Sequence, residues 1–182
     1  MRLAAITAIL FALTVAFPVS ARPLDKSEAR ALDKAVAAYF AAIGRGDANR
    51  VVAAMPPRLV SVYSGASGLE KGKLHEMLVE QTAALMAGMR FRDFTSDQSA
   101  LDAAEDSLAD GTRIVWVLVP TGFVSEAEGT VTLNEQPLLA VQEGRKWYFL
   151  RIDGKERREV AALAYPFLAG KDFPEAKTTP TE

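Results

Sequence analysis

Downstream of an apolar N-terminal stretch, hydrophobic residues recur along the chain at two distinct periods. Leu32, Val36, Tyr39, Phe40 and Ile43 repeat at spacings of three and four, which places them on one face of a helix. Asp25 and Glu28 supply a capping-box start, each side chain satisfying an otherwise unpaired backbone N–H. Gly44 and Gly46 stop that helix, and Asp47 caps a short second one carrying Val51, Val52 and Met55. Pro56-Pro57 ends it, because a residue before proline is pushed out of helical angles. Leu59 to Ser64 (LVSVYS) is short and rich in β-branched residues and reads as a first strand. A third helix is expected from about Leu69 to Ala87, with Leu74, Met77, Leu78, Gln81 and Leu85 on its buried side and Gly88 as its stop.

Beyond Gly88 the period shortens to two. MRFRDFT alternates through Phe91 and slips at Phe94, where a bulge is expected. Thr112 to Val124 is nearly continuous in apolar residues and reads as a central strand, and the acidic stretch LDAAEDSLADG before it reads as a solvated loop. GTVTLNEQPLLAVQEG and RKWYFLRID form a hairpin around Glu143-Gly144. The segment KERREVAALAYPFLAG is expected to hold one short helix before Pro166, and FPEAKTTPTE reads as a loose tail. Three helices followed by antiparallel strands define an α+β domain with helices on one face of a curved sheet.

The first residues add an address. Arg2 precedes an apolar run from Leu3 to Phe17, Pro18 breaks it, and Val19-Ser20-Ala21 offers small residues to a signal peptidase. This is the layout of a cleaved leader over residues 1–21, with an exported chain beginning at Arg22. The run is short for a membrane span, which needs about 20 apolar residues, so no stable membrane anchor is expected after cleavage. The destination would be the periplasm of a Gram-negative bacterium, or otherwise the exterior. Removing 21 of 182 residues leaves 161, enough for one domain over residues 22–170 and a flexible tail over 171–182. With no Cys, stability must come from the apolar core. Losing the leader removes one basic residue, Arg2, and moves the formal charge from −2 to −3. Near-balance of this kind argues against nucleic acid and against docking on anionic lipid.

The stretch AVAAYFAAIGRGDANRVVAAM, with the later helix and the GRKWYFLRI strand, resembles the nuclear transport factor 2-like superfamily, which includes ketosteroid isomerase and polyketide cyclase-like proteins. The resemblance covers roughly Ser27 to Ile152. It implies a cone-shaped roll, a strongly curved antiparallel sheet around the first helix, with a pocket inside and pairing of two copies through the open sheet face. On that expectation Tyr39, Phe40, Tyr63, Phe91, Trp116 and Trp147 are the ligand-pocket candidates.

The isomerase branch uses a first-helix tyrosine, a carboxylate base on the strand after the second helix, and a protonated carboxylate on a late strand. Tyr39 matches the first. The base position falls at Tyr63, where neither Ser61 nor Ser64 could serve, and the late acid falls at Leu138 or Leu139. A donor without a base cannot abstract a proton from carbon, so no catalytic residue is assigned. Buried tyrosines ordinarily find a partner for the hydroxyl, and Tyr39 is read first as a core aromatic.

Other chemistry is thin. His75 is the only histidine, and Glu76 beside it faces another direction on a helix. No GxSxG elbow is present. One His and no Cys leave a transition metal without its preferred donors, and Asp102, Glu105, Asp106 and Asp110 lack the spacing of a calcium loop. Neither metal nor cofactor is expected. Arg45-Gly46-Asp47 is accounted for by a helix stop and a cap. The expected function is that of an exported, non-catalytic binding or accessory protein, taking a small apolar ligand in a cavity or a protein partner on the sheet. The alternative is an isomerase or dehydratase using Tyr39 with Asp93 or Glu126 as base.

Overall fold

The computed structural model describes residues 21–181, so the expected leader lies outside the described residues. Among the described residues, five helices pack on a seven-stranded, wholly antiparallel sheet that does not close on itself.

Strand β1 (Arg22–Pro23) leads into α1 (Lys26–Gly44). The cap of α1 is the expected box: the Asp25 carboxylate accepts from the backbone N–H of Ser27 (2.7 Å) and Glu28 (2.8 Å), and Glu28 accepts from the Asp25 N–H at 2.9 Å. Helix α2 (Ala48–Ala53) starts on Asp47, whose carboxylate takes the Arg50 N–H.

The next segment departs from expectation. Leu59 to Ser64 is not a strand; it lies within α3 (Pro57–Ser67). Pro57 occupies the first helical position, where its missing N–H costs nothing and its fixed φ is already helical. Leu59, Val62 and Tyr63, three and four apart, then meet one core together. Burial on that face outweighs the β preference of a six-residue window. The proline pair therefore ends one helix and opens another.

Helix α4 (Lys71–Ala87) forms as expected, but its buried side is narrower. Leu74 is buried, while Gln81 is exposed and Leu85 is 73% exposed. The cause is position: α4 packs on α2 and α3 and makes no substantial contact with the sheet.

The strands are β2 (Arg90–Ser96), β3 (Asp102–Ser107), β4 (Arg113–Ala127), β5 (Thr130–Glu143) and β6 (Lys146–Arg151). The bulge falls where the alternation slips: the β2–β4 register shifts between Arg92 and Thr95, and Asp93 sits at φ 55°. The acidic stretch before the central strand is itself a strand. In β3 the apolar Ala103 and Ala104 are buried against opposite faces while Asp102 and Ser107 remain outside. Helix α5 (Lys155–Ala164) and one 3-10 turn (Pro166–Leu168) follow. The tail is ordered in part, since Lys177–Pro180 forms β7 against β5.

Strands β4 and β5 form a long ribbon, paired from Val115 and Gln142 at one end to Ala127 and Thr130 at the other. Near its middle Pro120 lies opposite Pro137. Neither can donate, so the pair must be one whose backbone groups point away from each other. The Pro120 carbonyl does point outward, accepting from the Asp97 N–H at 3.1 Å. Each proline therefore stands where the outer neighbour changes. On the β4 side β3 ends and β2 begins; on the β5 side β6 ends and β7 begins.

In the first half of the ribbon, strand alternation feeds two cores. Val115, Val117, Val119, Leu138, Ala140, Trp147 and Phe149 face α1. Ile114, Trp116, Leu139, Val141 and Leu150 face α3, α5 and the 3-10 turn. Helices thus cover both faces here, which corrects the expectation of a single covered face. The cause is the C-terminal segment, which places the buried Tyr165 and Leu168 on the second side.

Candidate functional site

The six expected pocket residues fall on two sides of the sheet. Tyr39 and Phe40 on α1, Trp147 on β6 and Phe91 on β2 lie on the α1 side, where rings form a continuous row. Tyr39 stacks on Phe149 at 4.9 Å, Phe40 on Phe94 at 5.0 Å, and Phe123 lies 5.8 Å from Phe94 and 5.9 Å from Phe91. Such offset contacts fill space with apolar area and leave the rings as core. Tyr63 and Trp116 belong to the opposite core. The Trp116 indole N–H donates to Asp106 at 2.9 Å, and its ring stacks on Phe167 with Lys171 Nζ 5.4 Å above it. The six do not converge, and none lines either surface concavity described below.

The proton-transfer geometry is also missing around Tyr39. Burial pushes its phenol above the ordinary value, and the nearby Arg151 charge acts in the opposite direction. Among the described residues no carboxylate hydrogen-bonds to it, and the late-acid positions hold the buried Leu138 and Leu139. Asp93 sits at the bulge paired with Arg92, its side chain 62% exposed. Glu126 alternates to the other sheet face and lines a concavity of about 190 Å³ with Arg90 and Glu128. His75 is exposed on α4, and no cluster of metal-ligating side chains occurs among the described residues.

A tyrosine–carboxylate pair does exist, on the opposite side. The Tyr165 hydroxyl donates to Glu143 at the end of β5. Burial, reinforced by the Glu143 charge, raises that phenol well above its usual range. Arg58 at the start of α3 lies close by and donates to Asp110 at 2.8 Å. Hydrogen bonds from Thr112 and the Arg58 guanidinium hold Asp110 well below the usual carboxylate range. The cluster joins α3, the β3–β4 turn, the β5–β6 hairpin and the end of α5. Sequence reasoning missed it because its hydrogen-bonded pairs, Tyr165–Glu143 and Arg58–Asp110, lie 22 and 52 positions apart, where no local period links them.

The larger concavity is an open groove of about 590 Å³ on the second half of the ribbon. Its floor is Leu118, Pro120, Gly122, Pro137 and Leu133, all on the face that α3 and α5 cover farther along. Its walls are Asp97 on one side and Pro174, Glu175 and Lys177 on the other. Leu133 is 37% exposed. A Cβ at Gly122 would meet Thr95 Oγ1 at 2.8 Å, so any larger residue there would have to displace that hydroxyl. Of the wall acids, Glu175 is paired with Arg158 at 2.6 Å, and Lys177 stands directly across from Glu135 in the β5–β7 register. The surface can hold an apolar group against rigid prolines.

Compared with known protein families, with curated proteins and with solved structures, the chain finds no match.

Proposed function

We propose that the chain is an exported, non-catalytic binding protein that holds a partner on the uncovered half of its sheet. The observation that carries this reading is the groove of about 590 Å³ floored by Leu118, Pro120, Pro137 and Leu133, beside a packed aromatic row where a pocket was expected. An open groove with an apolar floor and a charged rim suits a protein segment better than an enclosed small ligand. The apolar N-terminal run supports export, and among the described residues no helix is long and apolar enough to cross a membrane. Kinship with the nuclear transport factor 2-like superfamily, with its cone-shaped roll around α1, is part of this proposal. It is supported by the helix–Gly-Asp–helix opening and the late hairpin. Pairing of two copies is placed on the same open half, because α3 and α5 cover the rest of that face.

The test uses a neutral apolar probe, N-phenyl-1-naphthylamine, titrated into the protein and followed by backbone amide shifts. Shifts are expected at Leu118, Gly122, Leu133 and Gln136. Shifts confined to Tyr39, Phe40 and Trp147 would move the binding site to the α1 side and overturn the reading, as would no shifts at all.

A further inference from the structure

The outer edge of β5 between Val131 and Glu135 is held by the protein's own tail. Lys177 pairs with Glu135 and Thr179 with Leu133, while the Thr181 N–H donates to the Val131 carbonyl at 2.9 Å. These are the β5 residues whose backbone groups point away from β4, so the edge is a complete row of donors and acceptors. Directly paired residues share a face, which puts Lys177, Thr179 and Thr181 on the groove side with Glu135, Leu133 and Val131.

The tail meets this row in register, with Lys177 across from Glu135, and not by burial. Every residue of β7 is exposed, and Thr179 leaves its neighbour Leu133 37% open to water. A four-residue strand with no buried side chain gains little beyond its ladder, against the entropy of ordering the chain. Its free edge carries Pro180, unable to donate outward, so a further strand cannot extend the sheet past β7. A newcomer must take the place of the tail.

We propose that the β5 edge is a strand-accepting site for an extended segment of a partner protein, and that β7 is its weak resident occupant. The segment would carry a basic residue opposite Glu135 and aliphatic residues opposite Leu133 and Val131. It would then extend the apolar floor of the groove, in the manner of peptides added to exposed sheet edges. The tail has the advantage of being tethered, so the newcomer must win through side chains. This rests on the binding reading above and names the partner's chemistry.

The experiment uses the full chain and two blocked peptides. One copies Ala176 to Thr181 (AKTTPT); the other has isoleucine in place of both groove-facing threonines (AKTIPI). The isoleucine peptide should bind at least about tenfold tighter, since one buried aliphatic side chain is worth that much. On binding, hydrogen exchange should quicken at residues 177–181 while the Val131, Leu133 and Glu135 amides stay protected. Glu135→Lys should weaken the isoleucine peptide, with the fold checked by circular dichroism. Equal affinity of the two peptides, a tail that stays protected, or an indifferent Glu135→Lys would each overturn the proposal. Should the peptide fail while the naphthylamine still shifts Leu118 and Gly122, only the strand-accepting edge is lost. Should both fail, the binding reading falls with it.

Discussion

The two halves of the β4–β5 ribbon share backbone and register and differ in what covers them. The first half, Arg113–Val119 with Leu138–Glu143, is flanked by β3 and β6 and buried on both faces, by α1 on one side and by α3, α5 and the 3-10 turn on the other. The second half, Thr121–Ala127 with Thr130–Gln136, is flanked by β2 and β7. Its α1 side carries the aromatic row and its other side is the groove. The sequence follows the cover: IVWVLV is apolar without a break, whereas TVTLNEQ mixes the two kinds. Double burial removes the need for alternation, and single burial restores it. Burial is therefore denser in the first half, and the second keeps one open face.

The largest way to sharpen that contrast is a matched pair of truncations on the same strand and face. Leu139→Ala, fully buried, should cost about 2–5 kcal/mol in denaturant unfolding, whereas Leu133→Ala should cost less than about 1 kcal/mol. Comparable losses would erase the distinction. Gly122→Val comes next. Its Cβ would meet Thr95 Oγ1, so a loss of about 1–3 kcal/mol is expected, with groove-probe binding weakened as well.

Tyr165→Phe removes the donor to a half-buried Glu143 and should cost about 1–2 kcal/mol. It also has a pH signature. The Tyr165 phenol is raised in the folded chain, so its contribution is complete below the unfolded value of about 10 and is lost as pH rises above that. Stability measured from pH 9 upward should fall for the native chain, and the component due to this phenol should be missing in Tyr165→Phe. The opposite sign holds for Glu105, which Arg113 and Arg22 keep below its usual range. Its contribution is present at neutral pH and fades as pH falls below about 4. The smallest effect is kinetic: the Leu133 and Glu135 amides, paired only with β7, should exchange faster than those of Leu139 and Val141. Equal protection would mean that β7 is as firmly held as β6.

Much of the fold was legible where a local rule carried it. The capping box at Asp25, the Gly-Asp turn before α2, the slip at Phe94 and the Glu143-Gly144 hairpin each depend on residues a few positions apart. Legibility failed where the deciding neighbour was distant. LVSVYS took a helix because Pro57 opens one and because the α5 segment, a hundred residues on, supplies the core it faces. KTTP became a strand because β5 outruns β6 and leaves an edge unpaired. The candidate site fared similarly. Six aromatic residues were read as one pocket, yet alternation on β4 and β6 sends them to both sides of a sheet whose far side looked vacant.

The sequence by itself determined the α+β class, four of the five helices among the described residues, and the central strand. Periodicity, capping and composition are properties of neighbouring residues, and they hold before any long-range contact forms. The tertiary structure alone decided which face each strand residue serves, where Pro120 and Pro137 divide the ribbon, and that Tyr165 meets Glu143. Those outcomes depend on the return of the C-terminal segment across the sheet, and burial there is gained only when distant parts of the chain close on one another.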